Sequence, residues 1–329
     1  MFYCLYRLIS GVTLYFSHPI CLILYKSLRG NFPQKAIFVN PDPFDRGKYM
    51  SNHLREVMET RYKSSTDLSK ILEIELSRIE WQDFIKLNEI IIDSTIIHSR
   101  LDRNNTIIFQ GGDFYTILGF KNYFNFLKTK LNLLFYWRSR IDLNKQKIVY
   151  FFNEHKFKVP FKNCKFLDFE SAIKLLGESS KLVLPNLLSK SELKLELNEK
   201  YALILPPNPH YYGMEFTKKF MELVFEYTSK YHLKVIIKPH RNDSTDYSKE
   251  FSNSTITPCR YEILKYYEAE FFFSIKNIVH IISSPSSALS FADKSKLTVI
   301  APKQKELYRR FNVDQETFLR FLGIDFKLI

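Results

Sequence analysis

The strongest constraint on this chain is a series of short apolar runs, each too brief for a helix. Ala36–Val39, Ile90–Ile92, Thr106–Phe109, Lys147–Phe152, Tyr201–Leu205, Leu233–Ile237, Ile278–Ile282 and Leu297–Ile300 all take this form. Runs of this length, rich in Ile, Val and Phe and stopped by turn residues, read as strands buried on both faces. Several stop on prolines, as at Asn40-Pro41-Asp42-Pro43 and Pro206-Pro207. The stretches between them are much longer than hairpin turns, and many carry apolar residues at helical spacing. Helices are expected over about 45–59, 67–89 (Leu68, Ile71, Leu72, Ile74, Leu76, Ile79), 117–136, 214–230, from Arg260 onward, 287–293 and 303–323. Strands alternating with helices imply parallel sheets with both faces covered, an α/β architecture.

The alternation restarts once. Residues 178–199 turn polar (Gly177-Glu178-Ser179-Ser180, then Ser189-Lys190-Ser191-Glu192) and read as a linker. A length of 329 residues suits two such domains. The expected division is residues 31–180 for the first, Rossmann-like, and 181–329 for the second.

Residues 1–30 stand apart. MFYCLYRLISGVTLYFSHPICLILY is strongly apolar but interrupted by Arg7, Ser17, His18 and Pro19, and Lys26 and Arg29 follow it. A full span needs about 20 apolar residues, and Leu8 to Tyr25 reaches that only marginally. Phe2, Tyr3, Tyr6, Tyr15, Phe16 and Tyr25 beside flanking cations suit an interfacial or re-entrant hydrophobic helix. A core-packed helix and a true span are the other readings. The expected location is peripheral or monotopic, at an anionic membrane surface.

Composition narrows the chemistry. The net charge of +13 favours an anionic partner or surface, although lysine-rich composition alone can produce it. No zinc finger, RNA-recognition signature or basic heptad region supports nucleic acid. Neither a Walker loop nor GxGxxG is present, which argues against nucleoside triphosphatases and dinucleotide-dependent dehydrogenases. The four cysteines (Cys4, Cys21, Cys164, Cys259) form no CxxC pair, which suits free thiols in a reducing compartment. No metal site is expected.

Two segments carry the site. Lys238-Pro239-His240-Arg241 and Ser283-Ser284-Pro285-Ser286-Ser287 each follow a strand run. Strand ends in an open parallel sheet face the ligand crevice. Pro239 stiffens the first loop, so His240 is held in place to donate to a phosphoryl oxygen and stabilise a leaving nucleotide. Lys238 and Arg241 would add charge without a metal. The serine segment brings hydroxyls and backbone N–H groups to a strand-to-helix corner, an anion site. Serine also caps helices and proline starts them, which is the plain structural account of the same residues.

The order of the Tyr201–Pro207 strand, Lys238-Pro239-His240, Pro258 with Glu262, then Ser283-Ser284-Pro285-Ser286-Ser287-Ala288-Leu289 resembles the donor half of bacterial two-domain lipooligosaccharide sialyltransferases and polysialyltransferases, over roughly residues 105–302. The resemblance implies two facing Rossmann-like domains of GT-B type. It implies an inverting transfer of sialic acid from CMP-sialic acid to a bacterial surface glycan such as lipopolysaccharide, O-antigen or capsule, with no obligatory metal or other cofactor. It implies that His240 assists departure of CMP, that the serines hold its phosphate and that Glu262 contacts the ribose. Two departures matter: Arg241 stands where the family has proline, and the acidic motif after the 106–109 strand reads Gln110-Gly111-Gly112-Asp113. Asp113 is the nearest candidate for the general base, with Asp42 and Asp45 as alternatives; Asp113 is equally suited to a turn or helix cap. A transferase using another nucleotide donor, such as CDP-glycerol, or an inactive binding protein of the same fold are the competing functions.

Overall fold

Strands that are apolar on both faces need cover above and below, and the parallel arrangement supplies it. The computed structural model describes residues 14–40, 52–80, 91–93, 106–108, 148–152, 164–167, 169–241, 243–251, 254–302, 319 and 324–329. The chain divides into two units, Met1–Leu175 and Leu176–Ile329. Each is built on its own sheet, and every strand pairing in both sheets is parallel.

The first unit contains β1 (Leu14–Phe16), α1 (Ile20–Arg29), β2 (Lys35–Asn40), α2 (Asn52–Ile71), β3 (Glu75–Glu80), β4 (Ile91–Asp93), β5 (Thr106–Ile108), β6 (Ile148–Phe152) and β7 (Cys164–Leu167). The strands lie in the order β3-β2-β1-β4-β5-β6-β7, the order of a doubly wound sheet that turns about its first strand.

The hydrophobic N-terminal helix expected over residues 1–30 is therefore not what the described residues form. Leu14–Phe16 is a fully buried strand between β2 and β4. The helix that follows is ten residues long, and Ile20 to Tyr25 are at most 5% exposed. Gly30, at φ +81°, ends it by donating its N–H to Lys26 O at 2.7 Å, a backbone shape suited to a residue without Cβ. Apolar residues all round a helix fit a protein core as well as a membrane, and here Leu14 to Tyr25 belong to the core. Residues 1–13 lie outside the described residues, and no described helix is long and apolar enough to cross a membrane.

The helix expected over 67–89 is also corrected. The α2 helix ends at Ile71, Glu73 takes a positive φ of 55°, and Glu75–Glu80 becomes a strand paired along β2 from Lys35↔Glu75 to Asn40↔Glu80. Leu76 and Ile79 share a helical spacing, but backbone pairing with β2 overrides so weak a local pattern.

A helix likewise replaces much of the expected linker. The α3 helix (Phe169–Lys190) runs through it, burying Leu176, Ser179, Ser180, Val183 and Leu187 along one stripe. Its serines read as loop residues because they are small and polar. Ser180 Oγ instead donates to Leu176 O at 2.7 Å, and Ser191 Oγ to Leu187 O at 2.8 Å just past the helix end.

The second unit continues with β8 (Tyr201–Leu205), α4 (Met214–Lys230), β9 (Lys234–Ile237), β10 (Ile278–Ser283), β11 (Leu297–Ala301) and β12 (Phe326–Leu328). Its sheet runs β12-β11-β10-β8-β9. Ala202, Ile204, Val235, Ile237, Ile282 and Ile300 point to one face and pack on Phe220, Met221 and Val224 of α4. A 3₁₀ segment, Ala269–Ser274, packs against β10, and its Phe271 and Phe272 are fully buried. Here the expected helices shrink. The stretch from Arg260 gives a single turn, Tyr261–Leu264, and 287–293 gives a five-residue 3₁₀ turn, Ser287–Phe291. The expected helices over 117–136 and, apart from residue 319, over 303–323 lie outside the described residues. Among the described residues, Cys21 and Cys259 are free thiols.

Candidate functional site

In a parallel sheet the carboxyl ends of all strands share one edge. The chain leaves β8 toward β9 on one side and returns to β10 on the other. The strand order thus switches direction between β8 and β10, the place where open α/β sheets take ligands. Three segments converge there: Pro206-Pro207-Asn208 after β8, Lys238 to Arg241 after β9 and Ser284 to Ser286 after β10. Backbone bonds fix their levels, with Lys238 N donating to Ile204 O at 2.8 Å and Ser284 N to Leu205 O at 3.1 Å.

The cationic segment divides by side chain. His240 is exposed, and Asn208 Nδ2 lies 3.5 Å from its Nδ1. Lys238 is 6% exposed and donates its ammonium to Pro239 O at 2.7 Å. Arg241 turns inward to an ion pair with Glu268, with side chains only 10% and 5% exposed. Glu270, on the 3₁₀ segment Ala269–Ser274, is 8% exposed. Burial, with repulsion from Arg241, lowers the Lys238 ammonium to about 8, while Glu268, Glu270 and Asp243 pull it back up. Burial and then the Glu268 charge raise the Glu270 carboxyl to about 7, against the pull of Arg241 and Lys238. Asp243 accepts the Tyr247 hydroxyl at 2.7 Å, and burial, with the Asp243 charge behind it, holds that phenol above its ordinary range. Lys238 and Arg241 thus sit over a bed of carboxylates beneath the loop that presents His240.

The serine segment is committed differently. Ser283 is fully buried and its Oγ bonds to Ser284 O. Ser284 is 5% exposed. Ser286 is half-buried and caps the 3₁₀ turn, its Oγ accepting from Ala288 N at 3.4 Å. Ser287 is the first residue of that turn. A turn of five residues has little of the aligned dipole of a full helix, so anion affinity here depends on local N–H and hydroxyl groups.

Glu262 lies in the turn Tyr261–Leu264. It is exposed and bonds Arg260 Nε at 2.8 Å, and that guanidinium lowers its carboxyl. Asp113, Asp42 and Asp45 lie outside the described residues. Four residues of this region escaped the sequence reading: Asn208, Asp243, Glu268 and Glu270. Only Asn208 left a local signal, a polar residue set between prolines directly after a strand.

No group of acidic, histidine and cysteine side chains suited to a metal ion occurs among the described residues. No protein-family model matches this chain, and no curated protein matches it either. Among solved structures, the chain is similar to ADP-heptose lipopolysaccharide heptosyltransferase II of E. coli. The two are 8% identical, with 97% of this chain and 90% of that one covered, at a TM-score of 0.33.

Proposed function

We propose that this protein is an inverting glycosyltransferase that moves a sugar, sialic acid from CMP-sialic acid, onto a bacterial surface glycan at the cytoplasmic face of the membrane. The observation that carries the proposal is the exposed His240 at the end of β9, beside a β8–β10 switch point whose corner is Ser283-Ser284-Pro285-Ser286. Motif order along the second unit supports the same reading.

In this scheme the acceptor hydroxyl attacks the anomeric carbon from the face opposite the phosphate. The bond from that carbon to the phosphate oxygen breaks, and its electron pair leaves with CMP. His240 donates a hydrogen bond to a phosphate oxygen and stabilises the departing charge. Ser286 and neighbouring N–H groups hold the phosphate. Lys238 and Arg241 contribute from below, through the position of the loop. The proton from the acceptor goes to a carboxylate, for which Asp113 is the proposed base, and no metal takes part.

Donor screening of the full chain tests this. Purified protein is given a lipooligosaccharide acceptor and CMP-sialic acid, CDP-glycerol or a UDP-sugar, with a chelator present, and nucleotide release is measured. Release of CMP from CMP-sialic acid that survives the chelator is expected. Turnover of CDP-glycerol or a UDP-sugar alone would reject the sialic acid donor. CMP binding without release from any donor would favour a binding protein.

A further inference from the structure

We infer that Asn208 is a positioning residue for His240: its side-chain amide donates to His240 Nδ1 and holds the ring in the tautomer that carries its proton on Nε2. Asn208 is 4% exposed whereas His240 is exposed, so the fixed partner is the asparagine. The segment around it is stiff. Pro207 precedes it and Pro209 follows, and each proline fixes its own φ. Asn208 O accepts from Tyr212 N at 3.0 Å, which makes Asn208 the cap of the helical turn Pro209–Tyr212. Thr217 Oγ1 donates to Pro207 O at 3.3 Å and ties the same corner to α4.

The histidine side is held as well. Pro239 precedes His240, and His240 O accepts from Asp243 N at 2.9 Å. With both backbones anchored, the 3.5 Å approach of Asn208 Nδ2 to His240 Nδ1 brings a donor to one ring nitrogen. A neutral imidazole whose Nδ1 accepts must carry its proton on Nε2, because the bond made by one nitrogen sets the state of the other. In that tautomer Nε2–H is the ring group with a proton to donate to an anionic oxygen. The tautomer stands on this geometry alone; its use in sugar transfer rests on the proposed function.

The test is long-range ¹H–¹⁵N correlation of the histidine rings in the full chain, with His240 identified by the signals lost in His240→Ala. At a pH where the ring is neutral, the expected pattern is an unprotonated Nδ1 and a protonated Nε2. Asn208→Asp keeps the shape but replaces the donor by an acceptor, so the pattern should reverse to Nδ1–H. Asn208→Ala should average the two forms, and it serves if the aspartate variant does not fold. In the same Asn208→Asp protein, kcat for nucleotide release should fall about tenfold while the donor KM stays within about twofold. A wild-type ring pattern in both variants would overturn the assignment, as would a reversed pattern with unchanged kcat. If wild type releases no nucleotide from any donor, the proposed activity fails, and the ring pattern alone decides the role of Asn208.

Discussion

After β9 the chain turns its charge inward, whereas after β10 it ties its hydroxyls to its own backbone. Lys238 and Arg241 rest on Pro239 O and Glu268, while Ser283 and Ser286 bond to Ser284 O and Ala288 N. Both segments have the residue types of an anion site, yet most of their polar groups already have partners within the fold. What each offers a ligand is narrower: one exposed imidazole from the first, and one half-buried serine with nearby N–H groups from the second. The difference lies in energetics. A charge removed from water needs an opposite charge, so the β9 end depends on a distant acidic segment. A hydroxyl is satisfied by the nearest carbonyl or amide, so the β10 end is self-contained.

The contrast breaks most visibly if the inward charges are disturbed. Arg241→Ala leaves Glu268 buried without its guanidinium and should cost about 3–5 kcal/mol, read from urea unfolding. Replacing both members of the pair by apolar residues of similar volume should cost far less. Equal losses in the single and double variants would show that the pair is not the support described here.

Next comes pH. Glu270 holds its proton more tightly in the fold, about 7 against an ordinary 4.5. Its contribution to stability is complete below about 4.5 and is lost as pH rises through about 7. Lys238 has the opposite sense: its value falls from 10.5 to about 8, so stability returns as pH climbs through that window. Glu270→Gln should therefore flatten the decline in the urea midpoint between about pH 4.5 and pH 7. A decline as steep as in wild type would remove Glu270 from the cluster.

Smaller effects sharpen the contrast. Tyr247→Phe removes the hydroxyl bonded to the buried Asp243 carboxylate and should cost about 1–3 kcal/mol. At the serine corner, Ser286→Ala removes a cap and should cost about 1 kcal/mol. The double variant Ser286→Ala with Ser287→Ala should weaken CMP binding, measured by calorimetry, by more than it lowers stability. Unchanged affinity would take the phosphate away from this corner.

Much of the framework was legible because buried parallel strands leave continuous apolar runs. Tyr201–Leu205 and the α4 helix were read with the boundaries they have. The strands that escaped are short or mixed. Leu14–Phe16 is hidden inside a longer apolar stretch, Cys164–Leu167 carries a lysine, and Phe326–Leu328 is a largely exposed edge. At the site, His240 and the serines were visible as residue types, but their partners were not. Glu268 stands 27 residues from Arg241, and Asn208 stands 32 from His240. Such pairings depend on the order of β8, β9 and β10, which no local pattern encodes.

The central claim is that His240, held at the end of β9, acts on a departing nucleotide. Its most direct test is CMP release from CMP-sialic acid by wild type and by His240→Ala at matched concentrations of folded protein, both assayed well below their unfolding midpoints. The substitution removes the acceptor of the buried Asn208 amide and should cost about 1–3 kcal/mol. The account predicts release by wild type and a loss of about a hundredfold in the variant. Equal rates in two equally folded proteins would contradict it.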